Sequence, residues 1–231
     1  MEHSFDQNYW DEIWEGDRAS AMSTSTANPH LIKEVSDLTP GTALEAGCGA
    51  GAEAIWLAEH GWQVTGADVA AAALAFAADR ADDSGVAEQL DWVQADLSTW
   101  EPTTRYDLVT THYAHPAMPQ LDFYERIATW VAPAGTLLIV GHLHHDHASE
   151  AQHEHGHKQG HGDQHGHGSD GSADNNKPPV EATATAAAIT ARLDASIWEV
   201  LTAEESHRTM TSSGGRHTQI HDVVVRARRR T

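Results

Sequence analysis

Residues 43–68 read ALEAGCGAGAEAIWLAEHGWQVTGAD, and this stretch decides the fold. A short apolar run ends at Glu45, a glycine-rich turn and a helical stretch follow, and a second apolar run ends at Asp68. This order predicts a strand, a tight turn, a helix and another strand, the unit that presents a nucleoside ligand to a backbone loop. Glycine suits such a turn because a Cβ would block both the bend and the approach of the ligand. The turn holds three glycines: Gly47, Gly49 and Gly51.

The spacing of these glycines fits two classes of nucleotide cofactor. The run from Gly47 through Gly49 to Ala52 satisfies a loose dinucleotide fingerprint, as found in nicotinamide-dependent oxidoreductases. Glu45 favours another class, because a carboxylate two residues before the first glycine would repel a bound pyrophosphate and would suit a cation. The ammonium of an amino acid is such a cation, and S-adenosylmethionine joins an amino acid to an adenosine. An ordinary strand–helix turn with incidental glycines is the third interpretation.

On these residues the chain resembles the class I S-adenosylmethionine-dependent methyltransferases, whose first motif is E/D-x-G-x-G-x-G. Within that class it is similar to the small tellurite-resistance and thiopurine methyltransferase types. The aromatic run YWDEIW at 9–14 matches their entry helix, and WVAPAGTLLIVGH at 130–142 matches their turn into the fifth strand. The usual Pro-Gly-Gly of that turn is replaced here by Pro133-Ala134-Gly135.

The resemblance implies specific contacts with the cofactor. Glu45 would face the methionine ammonium, directly or through water, and Asp68 would hold both ribose hydroxyls. Asp96 would accept a hydrogen bond from the adenine amino group, and the backbone N–H of Leu97 would face the ring. Taken alone, each acid is equally well explained as a solvated loop carboxylate or a helix cap. The implied cofactor-binding set is Glu45, Gly47, Gly49, Gly51, Asp68, Asp96 and Leu97.

Strands and helices alternate along most of the chain, which predicts a parallel sheet with helices on both faces. We therefore expect an α/β, Rossmann-like three-layer sandwich with a mostly parallel seven-stranded sheet. At the end of the chain, two strands separated by a turn at Gly214-Gly215 predict an antiparallel hairpin, as in methyltransferases; a dinucleotide domain more often continues with another strand–helix–strand unit. The predicted strands cover residues 42–45, 63–67, 90–94, 106–110, 136–140, 196–204 and 219–227, and a helix is expected over 182–193.

Residues 1–40 are expected to form a helical cap of the same domain, and residues 41–231 the methyltransferase domain itself. Within it, residues 142–179 are rich in histidine and glycine and lack apolar periodicity. Such a composition predicts disorder and weak, exchangeable binding of Zn, Ni, Co or Cu by neutral imidazoles. A mobile flap over the acceptor pocket is one hypothesis, and a tolerated insertion with incidental metal affinity is the other. The candidate metal ligands are His144, His145, His147, His153, His155 and His157.

The sequence THYAHP, which follows the predicted fourth strand, supplies three candidate catalytic residues: His112, Tyr113 and His115. In the family this loop emerges beside the sulfonium. Many such enzymes need no strong general base when the acceptor is a thiol or another soft anion, whereas an oxygen or nitrogen acceptor more often needs a proton removed by His, Asp or Tyr. Substrate contact or proton acceptance is the functional interpretation. A hydrogen-bonded loop histidine and a packed tyrosine are the alternative, and the sequence does not choose one base.

Composition narrows the class of partner. The 231 residues include 34 acidic and 14 basic side chains, a formal net charge of -20, so a nucleic acid or an anionic membrane surface would be repelled. No run approaches the ~18 apolar residues of a membrane span. The N-terminus lacks the pattern of a secretory signal, and the single cysteine, Cys48, fits a reducing, cytoplasmic setting.

The sequence therefore predicts a cytoplasmic S-adenosylmethionine-dependent methyltransferase that acts on a small molecule by in-line methyl transfer. A thiol, a metalloid compound or another xenobiotic is the expected acceptor. The alternative is a metal-binding protein that uses the histidine-rich segment on a methyltransferase scaffold. The sequence leaves the oligomeric state open.

Overall fold

Helices lie on both faces of one mixed sheet in the computed structural model, which describes residues 5–15, 24–143, 182–211 and 217–231. The helices are α1 (Gln7–Glu15), α2 (Pro29–Val35), α3 (Ala52–Glu59), α4 (Ala71–Ser84), α5 (Gln120–Ala128) and α6 (Ala186–Thr190), with a short 3-10 turn at Ala87–Gln89. The strands are β1 (Thr42–Ala46), β2 (Gln63–Asp68), β3 (Leu90–Gln94), β4 (Tyr106–His112), β5 (Val131–Leu143), β6 (Thr183–Ala184), β7 (Trp198–Thr211) and β8 (His217–Arg229).

The strand order confirms the predicted fold class. The seven long strands lie in the order β3-β2-β1-β4-β5-β8-β7, and the two-residue strand β6 pairs with β5. Strands β1 to β6 pair in parallel, whereas β8 pairs antiparallel with both β5 and β7. The sheet is therefore parallel except for the C-terminal hairpin, as the sequence predicts.

The order of the sheet reverses between β2-β1 and β4-β5, so the chain leaves the carboxyl ends of β1 and β4 in different directions. A crevice opens at such a switch point, and ligands of open α/β sheets bind there. Register places Glu45 of β1 beside Thr110 of β4. Asp68 ends β2 beside Gln94 of β3. The acidic residues predicted for the site therefore lie along one edge of the sheet.

Strand β5 shows how the two cores form. Successive side chains of a strand point to opposite faces. Leu137 and Ile139 accordingly belong to the hydrophobic cluster with α5 and α6, whereas Leu138 and Val140 pack in the cluster with α2 and α3. All four side chains are fully buried. A central strand buried on both faces explains why this stretch reads as a continuous apolar run.

Two boundaries differ from the sequence interpretation. The helix expected over residues 182–193 occupies only α6, because Thr185 caps it: its hydroxyl oxygen accepts from the Ala188 N–H at 3.1 Å, and the chain before it forms β6. Strand β5 continues to Leu143, so the first two residues of the predicted insertion 142–179 are strand rather than insertion. The six histidines proposed as metal ligands, and the turn at Gly214-Gly215, lie outside the described residues.

Helix α1 joins the domain through Trp14, which is buried with Ala50, Ala70 and Ala73. Its neighbour Trp10 donates from the indole N–H to the His115 carbonyl at 3.1 Å. The predicted N-terminal cap is thus anchored, by α1, on the edge of the sheet where the crevice lies. In the part of the chain that the structure describes, no helix combines the length and apolarity that crossing a membrane requires.

Two glycines with matched backbone conformations test how tightly the turn after β1 is packed. Gly51 has φ +75° and Gly85 has φ +72°. A Cβ on Gly51 would lie 2.7 Å from the Trp92 ring and 3.0 Å from the Ala77 Cβ, whereas a Cβ on Gly85 would meet nothing within 4 Å. We expect Gly85→Ala to lower the free energy of unfolding by about 1 kcal/mol through backbone strain alone. Gly51→Ala should cost about 1–3 kcal/mol more through overpacking. Urea unfolding of the ligand-free proteins measures both values, and equal losses would contradict the close packing at Gly51.

Candidate active site

A cavity of about 810 Å³ opens at the carboxyl ends of β1, β2 and β4, beneath α1. Its walls come from several parts of the chain: α1, the N-terminal end of α2, the glycine turn with α3, the loops after β2, β3 and β4, and Arg208 of β7. Residues that the sequence nominates and that line this cavity are Gly47, Gly49, Asp68, Asp96, Leu97, His112, Tyr113 and His115.

The glycine turn is held against the end of β2 by backbone hydrogen bonds. The N–H groups of Gly47 and Cys48 both donate to the Ala67 carbonyl, at 2.8 and 3.1 Å. All three glycines of the turn have positive φ. At Gly47 the close approach of the chain also matters, because a Cβ there would collide with the Ala114 side chain. The turn therefore requires glycine both for its conformation and for the fit of the β4 loop.

The Asp68 carboxylate also holds the same turn through hydrogen bonds. One oxygen accepts from the Gly49 N–H at 2.8 Å, and the other accepts from the Ala70 N–H at 2.9 Å. Burial raises the pKa of Asp68 against the lowering effect of these N–H donors. Each carboxylate oxygen has room for a second hydrogen bond. Asp68 can therefore keep the turn in place and still accept from two ligand hydroxyls.

Asp96 and Leu97 form the opposite wall of this end of the cavity. One Asp96 oxygen accepts from both the N–H and the hydroxyl of Ser98, at 2.9 and 2.6 Å. Leu97 is buried, and its carbonyl accepts from the Arg126 Nε–H at 3.0 Å. These contacts fix the loop after β3, which brings an apolar side chain and a carboxylate to the cavity lining.

Glu45 lies behind the cavity wall and acts on it through His112. The Glu45 carboxylate is fully buried and lies 3.0 Å from the His112 Nδ1. Among the described residues, neither the second Glu45 oxygen nor the His112 Nε2 has a hydrogen-bond partner. Glu53, in the first turn of α3, lies close enough that these three side chains could hold a metal ion. Glu53 also accepts from the Asn28 N–H at 3.1 Å and so ties α3 to the start of α2.

The Glu45–His112 pair carries opposing electrostatic effects. Burial raises the pKa of Glu45, and the neighbouring histidine lowers it by less. Burial lowers the pKa of His112, but the charge and hydrogen bond of Glu45 outweigh this effect, so the pKa of His112 is raised. The protonated form of His112 is therefore favoured by its carboxylate neighbours.

Tyr113 is held by a network that joins four parts of the chain. Its φ of +55° is unusual for a residue with a side chain, and its hydroxyl donates to the buried Asp222 at 2.6 Å. Arg208 donates to the Tyr113 oxygen at 3.0 Å and to Asp222 at 2.6 Å, and His30 lies 3.1 Å from the same carboxylate. Although burial acts in the opposite direction, the His30, Tyr113 and Arg208 contacts lower the pKa of Asp222 to about 2. Burial and Asp222 together raise the pKa of Tyr113 to about 12.

His115 lies in a more apolar setting at the other side of the β4 loop. Its ring centroid is 5.6 Å from that of Phe5 and 5.4 Å from that of His142. Its Nδ1 lies 3.1 Å from the side-chain oxygen of the buried Gln120. Burial lowers the pKa of His115, so the neutral imidazole is favoured.

The sequence interpretation missed several residues that line the cavity. The tryptophans of α1 belong to the run YWDEIW, which the resemblance matches only to an entry helix, and Glu53 has the pattern of an ordinary first-turn acid of α3. Arg208 lies on β7, nearly a hundred residues after the loop that it contacts, and no local pattern connects the two. The lining residues to which the sequence assigned no role in the site are Trp10, Trp14, Glu53 and Arg208.

Replacing Glu45 tests the electrostatic coupling in the buried pair. Glu45→Gln keeps a hydrogen-bond acceptor for the His112 Nδ1–H and removes the charge. Burial should then dominate, and the pKa of His112 should fall from above to below the ordinary histidine value. NMR titration of the imidazole carbon-bound protons measures this pKa, with His112→Gln identifying the resonance. Glu53→Gln is the matched control and should lower the pKa only slightly. An unchanged pKa of His112 in Glu45→Gln would contradict the pairing.

Part of the sequence is similar to proteins of known family. Residues 43–135 match the model of a family described as a methyltransferase domain. Thiocyanate methyltransferase 1 from Arabidopsis thaliana is 31% identical over 112 residues, which cover 47% of this chain and 48% of that protein. The chain spans about half the length of the curated relatives it matches.

Solved structures extend the likeness to almost the whole chain. A structure from a study of the conversion of a disulfide bond into a thioacetal group during echinomycin biosynthesis has a TM-score of 0.64 at 21% identity, covering 97% of this chain and 91% of that one. Magnesium protoporphyrin IX methyltransferase from Synechocystis PCC 6803, solved with bound S-adenosylmethionine, has a TM-score of 0.56 at 14% identity, covering 97% of both chains. These structures share the fold. Within that fold, residues 43–135, which run from β1 through β4 and include the glycine turn, are similar to a methyltransferase domain.

Proposed function

We propose that this chain transfers a methyl group from S-adenosylmethionine to a small sulfur nucleophile, a thiol or a related soft anion. One observation carries the proposal: a single cavity has a nucleoside-type wall at one end and a wall of histidine, tyrosine and aromatic side chains at the other. The two ends meet at the switch point of the sheet, where a cofactor and an acceptor would touch. The proposal concerns the whole protein, whereas the similarity to thiocyanate methyltransferase 1 covers 48% of that relative.

The residues at the nucleoside end fit the cofactor. Asp68 would accept from the two ribose hydroxyls with its remaining lone pairs, and Asp96 with Leu97 would receive the adenine. The glycine turn leaves room for the amino-acid part, because its positions carry no Cβ. His112 lines this end of the cavity and would give that part a polar neighbour. When bound, the cofactor supplies a methyl group that is already activated by its sulfonium.

The chain then contributes position and exclusion of water rather than strong chemistry. Trp10 and Trp14 of α1 cover the cavity, and Phe5 packs on the β4 loop. A cover of aromatic rings desolvates an acceptor and strengthens the interactions of its nucleophilic atom. The cavity volume must accommodate cofactor and acceptor together, which favours a small acceptor.

Two observations support a sulfur acceptor of small size. The relative named thiocyanate methyltransferase acts, by its name, on a soft sulfur anion. Among the described residues that line the cavity, Arg208 is the one arginine or lysine side chain, and it lies beside Tyr113 at the acceptor end.

The net charge of -20 argues against a nucleic-acid acceptor. The single cysteine supports a cytoplasmic location.

The alternative of a metal-binding protein on this scaffold remains a prediction of the sequence. The histidines on which it depends lie outside the described residues. We propose one function for the N-terminal cap and the methyltransferase domain together, because α1 of the cap covers the cavity of the domain.

Binding of the cofactor product tests the proposal without knowledge of the acceptor. We expect metal-stripped protein to bind S-adenosylhomocysteine in the micromolar range by calorimetry and to give no signal with NADH. Asp68→Ala should weaken binding at least tenfold, because the ribose loses its acceptor and the turn loses its Gly49 anchor. Asp91→Ala, an exposed acid on β3, is the matched control and should bind like the unchanged protein. If S-adenosylhomocysteine does not bind, or if both variants bind it equally well, this reading of the site is wrong.

A further inference from the structure

We propose that His115 is the proton acceptor of this reaction and that Gln120 is its positioning residue, holding the imidazole so that Nε2 carries the free lone pair. The proposal rests on the proposed function, since it assigns roles inside the same cavity. It chooses one base from the three side chains of the THYAHP loop, and it adds a residue of α5 that the sequence did not nominate.

The Gln120 amide has only one possible orientation. Its nitrogen donates to the Ala114 carbonyl at 3.0 Å, so its oxygen is the atom that lies 3.1 Å from the His115 Nδ1. A carbonyl oxygen only accepts, and the His115 Nδ1 must therefore carry the hydrogen. In a neutral imidazole the other nitrogen is then an acceptor. Gln120 is itself buried, which keeps this arrangement from exchanging with water.

The surroundings of His115 keep the ring neutral. Burial lowers its pKa, and the stacked His142 has a pKa lowered to about 4, by burial first and then by His115. The His115 ring stacks on the His142 ring and lies at a tilt against Phe5, so these three rings add no charge to this side of the cavity. The titratable and charged groups around the stacked pair are Tyr113 after β4, Tyr124 on α5, Arg208 on β7 and Asp222 on β8.

The two other candidates are occupied by different partners. Glu45 and Glu53 raise the pKa of His112, which favours a protonated ring that donates rather than accepts. The Tyr113 hydroxyl already donates to Asp222 at 2.6 Å. His115 also lines the cavity beside Pro116 and Ala117, whereas the His112 Nε2 is buried from solvent. Of the three, His115 is the cavity-lining side chain whose hydrogen bond to Gln120 leaves Nε2 as the acceptor nitrogen.

The step is a single proton transfer. The S–H bond of the acceptor breaks, the proton moves to the His115 Nε2, and the electron pair stays on the sulfur, which becomes the nucleophile. The imidazolium later releases the proton to solvent. An acceptor that is already ionised skips this step, so its turnover does not depend on His115 or on Gln120.

Two Gln120 variants and two acceptors test the proposal. Gln120→Met removes the acceptor of the Nδ1–H, and we expect kcat with benzyl mercaptan, which is protonated at neutral pH, to fall about 100-fold. With 4-nitrothiophenol, which is already a thiolate, kcat should stay within about threefold, since no proton has to be moved. Gln120→Glu keeps the acceptor and adds a negative charge, so it should retain turnover of benzyl mercaptan while the acid limb of its kcat–pH profile moves to higher pH.

NMR of the histidine ring nitrogens reads the tautomer directly in the protein bound to S-adenosylhomocysteine. We expect His115 to be protonated on Nδ1 in the unchanged protein and to shift towards the Nε2–H form in Gln120→Met. An Nε2–H tautomer of His115 in the unchanged protein would overturn the proposal. So would a Gln120→Met variant that loses kcat equally with both thiols or with neither. The proposal also fails if the unchanged protein methylates neither thiol. Failure of S-adenosylhomocysteine to bind would instead remove the proposed function, while the tautomer of His115 would still be measurable in the free protein.

Discussion

The contact between the end of β2 and the turn after β1 is the constraint on which the rest of the site depends. The Ala67 carbonyl receives two N–H groups of the turn, and the Asp68 carboxylate receives a third from Gly49. These bonds fix the turn in a left-handed path that only glycine follows at low cost. Because the turn is fixed, α3 starts at a defined point, and the β4 loop can pack against Gly47 where no side chain intervenes. The cavity is the space that this arrangement leaves open.

The fold could be predicted from sequence because its main determinants are local. Glycine spacing, apolar runs and their alternation with helices act over a few residues, and they indicate strands, helices and parallel connections without any knowledge of the partner strands. The errors fall where long-range pairing decides. Strand β6 is two residues long, and it exists because β5 offers it an edge. The extension of β5 to Leu143 likewise depends on β8, which pairs with it as far as Asp222.

The candidate site was predictable as a set of residues but not as a set of roles. The three side chains of the THYAHP loop do come together at one end of the cavity. Their chemistry differs because their partners differ: Glu45 for His112, Asp222 for Tyr113 and Gln120 for His115. Two of these partners come from other strands, 67 and 109 residues away. Gln120 is only five residues from His115, yet its role depends on the Ala114 carbonyl, which orients its amide.

The position and pairing of the acidic side chains matter more for this site than their number. The chain is strongly acidic, but two buried acids near the β4 loop are paired: Asp222 has three partners, and Glu45 is paired with His112. The rings in contact with His115 are Phe5 and His142, and burial lowers the pKa of both imidazoles. In such a medium a thiolate loses its hydration and interacts strongly with whatever positive charge is near. A sulfonium at the glycine turn would be that charge. A neutral histidine beside it accepts a proton without placing a competing cation in the cavity before the acceptor is ready, and this favours His115 over His112, whose protonated form is favoured.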